Sequence, residues 1–249
     1  MRALVTGMNG TVAPVVAERL RREGFEVVAW DRAEVPPDDA GAVRDFVART
    51  RPDWLVHAAT GSPDWTATLA VECARASIGF LHTSSASVFS GRGTGPRSLD
   101  AEPDATDDYG RYKIECERRV ARANPYALVV RIGWQIGERP GGNNMLTYLA
   151  DAQARDGSVR ASTRWFPACS FLTDTADALT DLMARRAEGL YQADGNPGMT
   201  FFEIATALNR MQGEPWTVVA SDEPVLDHRM VDSRVRIASV TNRLVVRSP

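Results

Sequence analysis

Lysine is almost absent from this chain. Of its 29 basic residues, 28 are arginine, and the single lysine is Lys113. A general shift toward Arg, as in a GC-rich genome, did not remove it. Cysteine and histidine are scarce too, with three of each. Cys73, Cys116 and Cys169 are odd in number, far apart and never paired as CxxC, which suits reduced thiols and argues against a structural zinc site. A net charge of −3 lacks the basic excess of a nucleic-acid binder. No apolar run reaches membrane-spanning length, and Met1 leads straight into Ala3-Leu4-Val5 without a signal-peptide pattern. Repeats and low-complexity segments are missing. The expectation is a cytoplasmic α/β protein with neither nucleic-acid nor membrane partners.

At 249 residues and 44% hydrophobic, the chain has material for one large domain with a smaller lobe. The first half alternates apolar strand runs with amphipathic helix runs, the pattern of a doubly wound parallel sheet, a Rossmann-type fold. Strands are expected at Arg2–Thr6, Phe25–Trp30, Trp54–Ala59, Ile78–Thr83 and Tyr126–Ile132, with helices at Thr11–Glu23 and Tyr109–Ala123. Beyond them, Gly133–Gly142 reads as loop, Asn143–Arg155 and Thr173–Arg186 as helices, and Gly189–Gln192 as a strand. Thr200 and Glu203 form a capping-box signature for a helix to Arg210. Trp216–Ala220 and Arg234–Ile237 read as short strands. The division expected is a nucleotide-binding core at 1–132 and a substrate lobe at 133–249, with about 170–192 packing back on the core.

TGMNGTVA sets Gly7 and Gly10 between the first strand and the first helix, with small Ala13 at the third position of the pattern. Glycines there permit a tight turn and bring backbone N–H groups, those of Asn9, Thr11 and Val12 among them, toward a pyrophosphate. Asp31 follows Gly10 by 21 residues, at the end of the second strand, where a carboxylate accepts from ribose hydroxyls. That placement favours NAD, while Arg32 beside it is suited to a 2′-phosphate, so NADP stays open.

Lys113 stands four residues after Tyr109, which on a helix puts phenol and ammonium on one face. With five tyrosines in the chain, random placement gives this spacing about 2% of the time. Ser84 and Ser85 emerge from the Ile78–Thr83 strand 24 or so residues earlier, and Ser85 is preferred over Ser84 as the partner of Tyr109.

Together these residues resemble the extended short-chain dehydrogenase/reductase family, with its glycine turn, serine after a strand and Tyr-x-x-x-Lys. RPDWLVHAAT, VVRIGWQIGE and the final stretch look like the dTDP-4-dehydrorhamnose reductase branch, which reduces nucleotide-linked 4-keto sugars. The resemblance implies NAD(P)H as cofactor, a nucleotide-sugar substrate and a homodimer. It implies Tyr109 as general acid, Ser85 as carbonyl donor, and Lys113 as ribose ligand and depressor of the phenol pKa. Ala58, Ala59, Thr60, Thr83 and Ile132 would edge the cofactor, and Trp134, Asn143, Trp165 and Phe166 fall where the family binds substrate.

Two departures stand out. The Ala59–Thr83 segment is short, and the helix asparagine of the family's proton relay has no counterpart beyond Thr66 or Thr68, with Trp65 filling part of the gap. The acidic metal-binding residues of some reductases in this branch cannot be placed either, so no metal is expected. Ala86 and Ser87 replace the acidic pair of the related dehydratases, which disfavours dehydration. A sugar-nucleotide epimerase with bound NAD and a non-catalytic NAD(P)-binding regulatory protein remain as alternatives. Ser90–Ser98 reads as a mobile loop at the site, His57 and His82 as structural, and His228 as a residue with no constellation around it.

Overall fold

The structure is a computed structural model that describes residues 1–244, so 245–249 of the expected lobe lie outside the described residues. Six parallel strands form the central sheet: β1 (Arg2–Thr6), β2 (Glu26–Ala29), β3 (Trp54–His57), β4 (Gly79–Ser85), β5 (Leu128–Ile132) and a later strand, Gly189–Ala193. In space the order runs Gly189–Ala193, β5, β4, β3, β1, β2. The chain therefore reverses its winding between β1 and β3, and a crevice opens at their carboxyl ends. The inner strands are nearly all buried, because helices cover both faces.

On one face, α1 (Ala13–Arg22) and α6 (Leu172–Ala184) bury Val16, Leu20, Leu179 and Leu182 against Val5, Val56, Leu81 and Val130. On the other, α2 (Ala40–Thr50), α3 (Pro63–Arg75) and α4 (Asp108–Ala123) bury Val43, Val47, Trp65, Leu69 and Val120 against Leu4, Leu55 and Phe80. Asp39, Ser62 and Asp107 cap these three helices by accepting from backbone N–H groups in the first turn. Helices α2 and α3 occupy stretches to which the sequence reading assigned no element. The short Ala59–Thr83 segment still holds a 13-residue helix, with Trp65 buried at its start.

The second core gathers β6 (Trp134–Ile136), α5 (Met145–Asp156), β7 (Val159–Ser162), β8 (Trp165–Phe166), β9 (Cys169–Phe171), α7 (Phe201–Met211) and β11 (Val218–Ser221), and β12 (Leu226–Asp227) pairs with β8 at its edge. Gly189–Ala193, numbered β10, extends the main sheet beside β5. The pairs β6–β9, β7–β11 and β8–β12 are parallel two-stranded ribbons. Thr200 and Glu203 form the capping box of α7.

Two expectations fail here. The 133–142 stretch contains β6, whose partner β9 lies more than thirty residues away. Arg234–Ile237 is not a strand. Its apolar residues Val235 and Ile237 instead cover the first core beside Tyr191, and Arg234 is held by Asp232. Among the described residues, no helix is long and apolar enough to cross a membrane.

Candidate active site

A cleft of about 1190 Å³ runs along the carboxyl edge of the sheet, from the β1–β3 crevice to the second core. Every residue singled out above for cofactor, catalysis or substrate lines it, with the exception of Phe166. That ring instead packs under the Arg229 guanidinium, 4.9 Å from its centroid.

At one end lies the glycine turn. Gly7 has φ +87°, and a Cβ there would stand 2.9 Å from the backbone of Ala58 and Ala59. Only glycine lets β1 turn this close to β3. Gly10 N–H donates to Gly7 O at 2.7 Å and tightens the turn into α1. The cap position of α1, Val12, offers no side-chain acceptor, so the first-turn amides are not consumed by a cap. Thr11 Oγ1 accepts from Asn143 N–H at 2.8 Å, which draws the 137–144 loop over the turn and places Asn143 beside the cofactor motif. Asp31 Oδ1 accepts from Ala33 N–H at 2.8 Å, and the Arg32 guanidinium rests 4.9 Å from the Trp65 centroid while donating to Thr60 O.

In the middle, β4 ends in two serines whose side chains leave opposite faces, as the strand period requires. Ser84 Oγ donates to Glu117 at 2.5 Å, and Glu117 in turn holds the buried Arg131 at 2.7 Å. Ser84 is thereby engaged away from Tyr109. Ser85 Oγ accepts from Ser87 N–H at 3.1 Å, and Ser85 lines the cleft together with Tyr109.

Lys113 is 3% exposed, and its Nζ donates to Thr83 O at 2.9 Å. The ammonium stands 5.9 Å from the Tyr109 ring centroid and 5.6 Å from that of Tyr112. Burial pulls the Lys113 pKa below its usual value, against the opposing influence of Cys116 and Glu117. The expected lowering of the phenol pKa is not found. Desolvation pushes Tyr109 upward, and the influence of the Ser85 hydroxyl offsets this only in part. The reason is geometric: the ammonium is committed to the Thr83 carbonyl and lies beside the phenol ring.

Beneath this centre is a polar layer. His57 Nδ1 pairs with Thr6 Oγ1 at 2.9 Å and its Nε2 with Thr66 Oγ1 at 3.1 Å. Thr66 therefore faces inward, whereas the Thr68 hydroxyl turns back to Asp64 O. Burial drives His57 down to about 3, so the ring is neutral. His82 stacks on it at 5.3 Å with neither ring nitrogen hydrogen-bonded.

At the far end stands an aromatic wall that the sequence reading found only in part. Trp134 and Trp165 stack at 6.0 Å and 19°, with Tyr148 edge-on to Trp134 at 5.2 Å. His228, expected to stand alone, lines this wall and accepts from Trp165 Nε1 at 3.1 Å. The Ser90–Ser98 loop is tied down rather than free. Gly91 O accepts from Asp227 N–H at 2.6 Å, and Arg97 N–H donates to Arg229 O at 2.7 Å. Tyr148 and His228 carried no local signal, since their place depends on α5 and on the β8–β12 ribbon.

A family model described as "RmlD substrate binding domain" matches residues 1–62 and 63–241. The chain belongs to this family. The dTDP-4-dehydrorhamnose reductase of Mycolicibacterium smegmatis is 27% identical, covering 86% of this chain and 70% of its own. Methionine adenosyltransferase 2 subunit beta of Xenopus tropicalis is 25% identical, covering 90% of this chain and 76% of its own. The fold matches the crystal structure of a Bacillus anthracis dTDP-4-dehydrorhamnose reductase in complex with NADP. That match has a TM-score of 0.84 at 17% identity and spans 98% of this chain and 96% of the other.

Proposed function

We propose that this protein is an NAD(P)H-dependent reductase of a nucleotide-linked keto-deoxysugar, with Tyr109 as general acid assisted by Ser85 and Lys113. The observation that carries the reading is the convergence of Ser85, Tyr109 and the buried Lys113 on the cleft that also holds the Gly7 turn. Family membership and relatives named as dTDP-4-dehydrorhamnose reductases support the substrate class. The NADP-bound neighbour supports the cofactor class.

The residues present fit a dinucleotide. The Gly7 turn leaves no side chain between the backbone amides and a pyrophosphate, and the uncapped start of α1 favours negative charge. Asp31 keeps one carboxylate oxygen for ribose hydroxyls, while Arg32 stands ready for a 2′-phosphate at the cost of its contacts with Trp65 and Thr60. The cofactor supplies the hydride.

The protein supplies the rest. Ser85 and Tyr109 hydrogen-bond the substrate carbonyl oxygen and stabilise charge developing there. Tyr109 then gives that oxygen its phenolic proton. An upward-shifted phenol is fully protonated at neutral pH, and an alkoxide is a far stronger base than a phenolate, so the transfer runs downhill. The Lys113 ammonium, held by Thr83 O, has two further N–H donors and would bind the nicotinamide ribose beside Tyr109.

Ala86 and Ser87, next along the chain, carry no acid or base for water elimination, which sets dehydration aside. One second reading has a specific support. The frog relative is named as a subunit of a methionine adenosyltransferase, which fits a protein that binds NAD(P) as a regulatory partner.

The test is the purified protein with NADPH or NADH and dTDP-4-keto-6-deoxyglucose. Loss of nicotinamide absorbance that disappears in Tyr109→Phe is the expected result. Isomer exchange without net cofactor oxidation would point to an epimerase. Cofactor binding without either would favour the regulatory reading.

A further inference from the structure

Of the three histidines, two lie wholly buried in the sheet layer, and the third reaches the cleft. His228 follows β12, and its N–H donates to Phe166 O at 2.9 Å, which fixes the backbone beside β8. The ring stands edge-on to Trp165 at 6.3 Å and 71°, and Trp165 is itself stacked on Trp134. Behind the ring is Gly91, with φ +72°, where a Cβ would come within 2.4 Å of His228 Cε1. The imidazole is therefore held between a tryptophan edge and a glycine backbone.

The hydrogen bond from Trp165 decides its protonation. An indole N–H only donates. His228 Nδ1, 3.1 Å away, must therefore present a lone pair. A neutral ring then carries its proton on Nε2, and an imidazolium would set one N–H against another. The charged groups around it are Asp227, Asp104 and Asp107 on one sign and Arg97 on the other, and burial outweighs them, holding the ring below its ordinary pKa. Among the described residues Nε2 makes no hydrogen bond, and it is not among the buried unpaired atoms. Since the ring lines the cleft, this leaves one N–H donor offered to whatever occupies the aromatic end.

We propose that His228 is a substrate-specificity residue, a neutral Nε2-protonated imidazole that donates a hydrogen bond to an uncharged oxygen of the keto-sugar. This rests on the reductase reading for its substrate and on Trp165 for its tautomer. A positively charged imidazolium would favour a phosphate, whereas this arrangement selects a hydroxyl, ether or carbonyl oxygen. Trp165 is then a positioning residue that acts through His228.

Two measurements test it. Long-range ¹H–¹⁵N spectra of the labelled protein, assigned with His228→Phe, read the tautomer without any turnover. His228 should show a protonated Nε2 and a bare Nδ1 from pH 6.5 to 8, and Trp165→Phe should let both tautomers and the imidazolium appear. A protonated Nδ1 in the wild type at pH 7 overturns the proposal. In steady-state assays with NADPH and dTDP-4-keto-6-deoxyglucose, His228→Phe should raise the sugar KM about 10-fold. The Kd for NADPH should stay unchanged, and His228→Gln, which keeps an N–H donor, should restore most of the loss. An unchanged KM in His228→Phe overturns it as well. A wild type silent toward every keto-sugar would remove the reductase reading, and the tautomer spectrum would still decide the state of His228.

Discussion

The two ends of the cleft are assembled from different kinds of material. The nucleotide end comes from turns that each follow a sheet strand: the Gly7–Val12 turn after β1, Asp31 after β2, Ala58–Thr60 after β3. The aromatic end comes from Trp134, Tyr148, Trp165 and His228, spread over nearly a hundred residues and joined by two-residue and three-residue strand pairs. Backbone approach sets the geometry in the first case, as the 2.9 Å clearance at Gly7 demonstrates. Side-chain stacking sets it in the second. Changes at the first end should therefore strike cofactor binding and stability together, and changes at the second should alter substrate recognition with the fold intact. Between the two sit Ser85, Tyr109 and Lys113, where the cofactor meets the substrate and where changes should fall first on turnover.

The largest effect is expected at that centre. Tyr109→Phe should lower kcat by about 10²–10⁴-fold, the usual worth of a general acid, while fluorescence titration finds the NADPH Kd unchanged. A Kd that collapses together with kcat would merge the centre with the nucleotide end.

Next comes a matched pair. Gly7→Ala forces a Cβ into the Ala58 backbone at a positive φ, a strain of about 1–3 kcal/mol. It should weaken NADPH binding and lower the melting temperature. Trp134→Ala should leave the NADPH Kd in place and raise the KM for the keto-sugar. If both variants shift both constants, the cleft has no separable ends.

A smaller effect concerns the layer below. His82 is fully buried with both ring nitrogens unpaired, and burial holds it neutral. Its folded pKa lies below the unfolded one, so the unfolded chain takes up a proton below pH about 6.5 that the folded chain refuses. Stability is thus lost as the pH falls through that point. His82→Leu removes an unsatisfied group and should stabilise by about 1 kcal/mol at pH 7.5. The gain should grow by about 1.4 kcal/mol for each pH unit below 6.5. Urea melts at pH 7.5 and pH 5 read this directly, and a gain that shrinks on acidification would contradict it.

The contrast between the two ends also explains what was legible in the sequence. Gly7, Gly10, Asp31, Ser85, Tyr109 and Lys113 are tied to the ends of strands or the start of a helix, so periodicity and spacing were enough to bring them to one sheet edge. β1 was read to the residue, and α4 within one. Helices α2 and α3 were missed because each buries only a narrow face and is otherwise charged or small. β6 was hidden in a glycine-rich run, and His228 had no signal, because both depend on partners distant in sequence. Arg234–Ile237 carried the alternation of a strand and uses it to cover the core beside β10. The phenol pKa could not be foreseen either, since spacing puts Lys113 near Tyr109 and says nothing of the Thr83 carbonyl that takes the ammonium.

Lys113→Arg tests the central claim most directly. A guanidinium is too broad and too rigidly forked for the 3%-exposed space where one Nζ meets Thr83 O at 2.9 Å. The decisive measurement is kcat with NADPH and a dTDP-keto-sugar, alongside circular dichroism to confirm the fold. A folded variant with turnover reduced at least about 100-fold is the predicted result, and a folded variant with near-normal turnover would contradict the account.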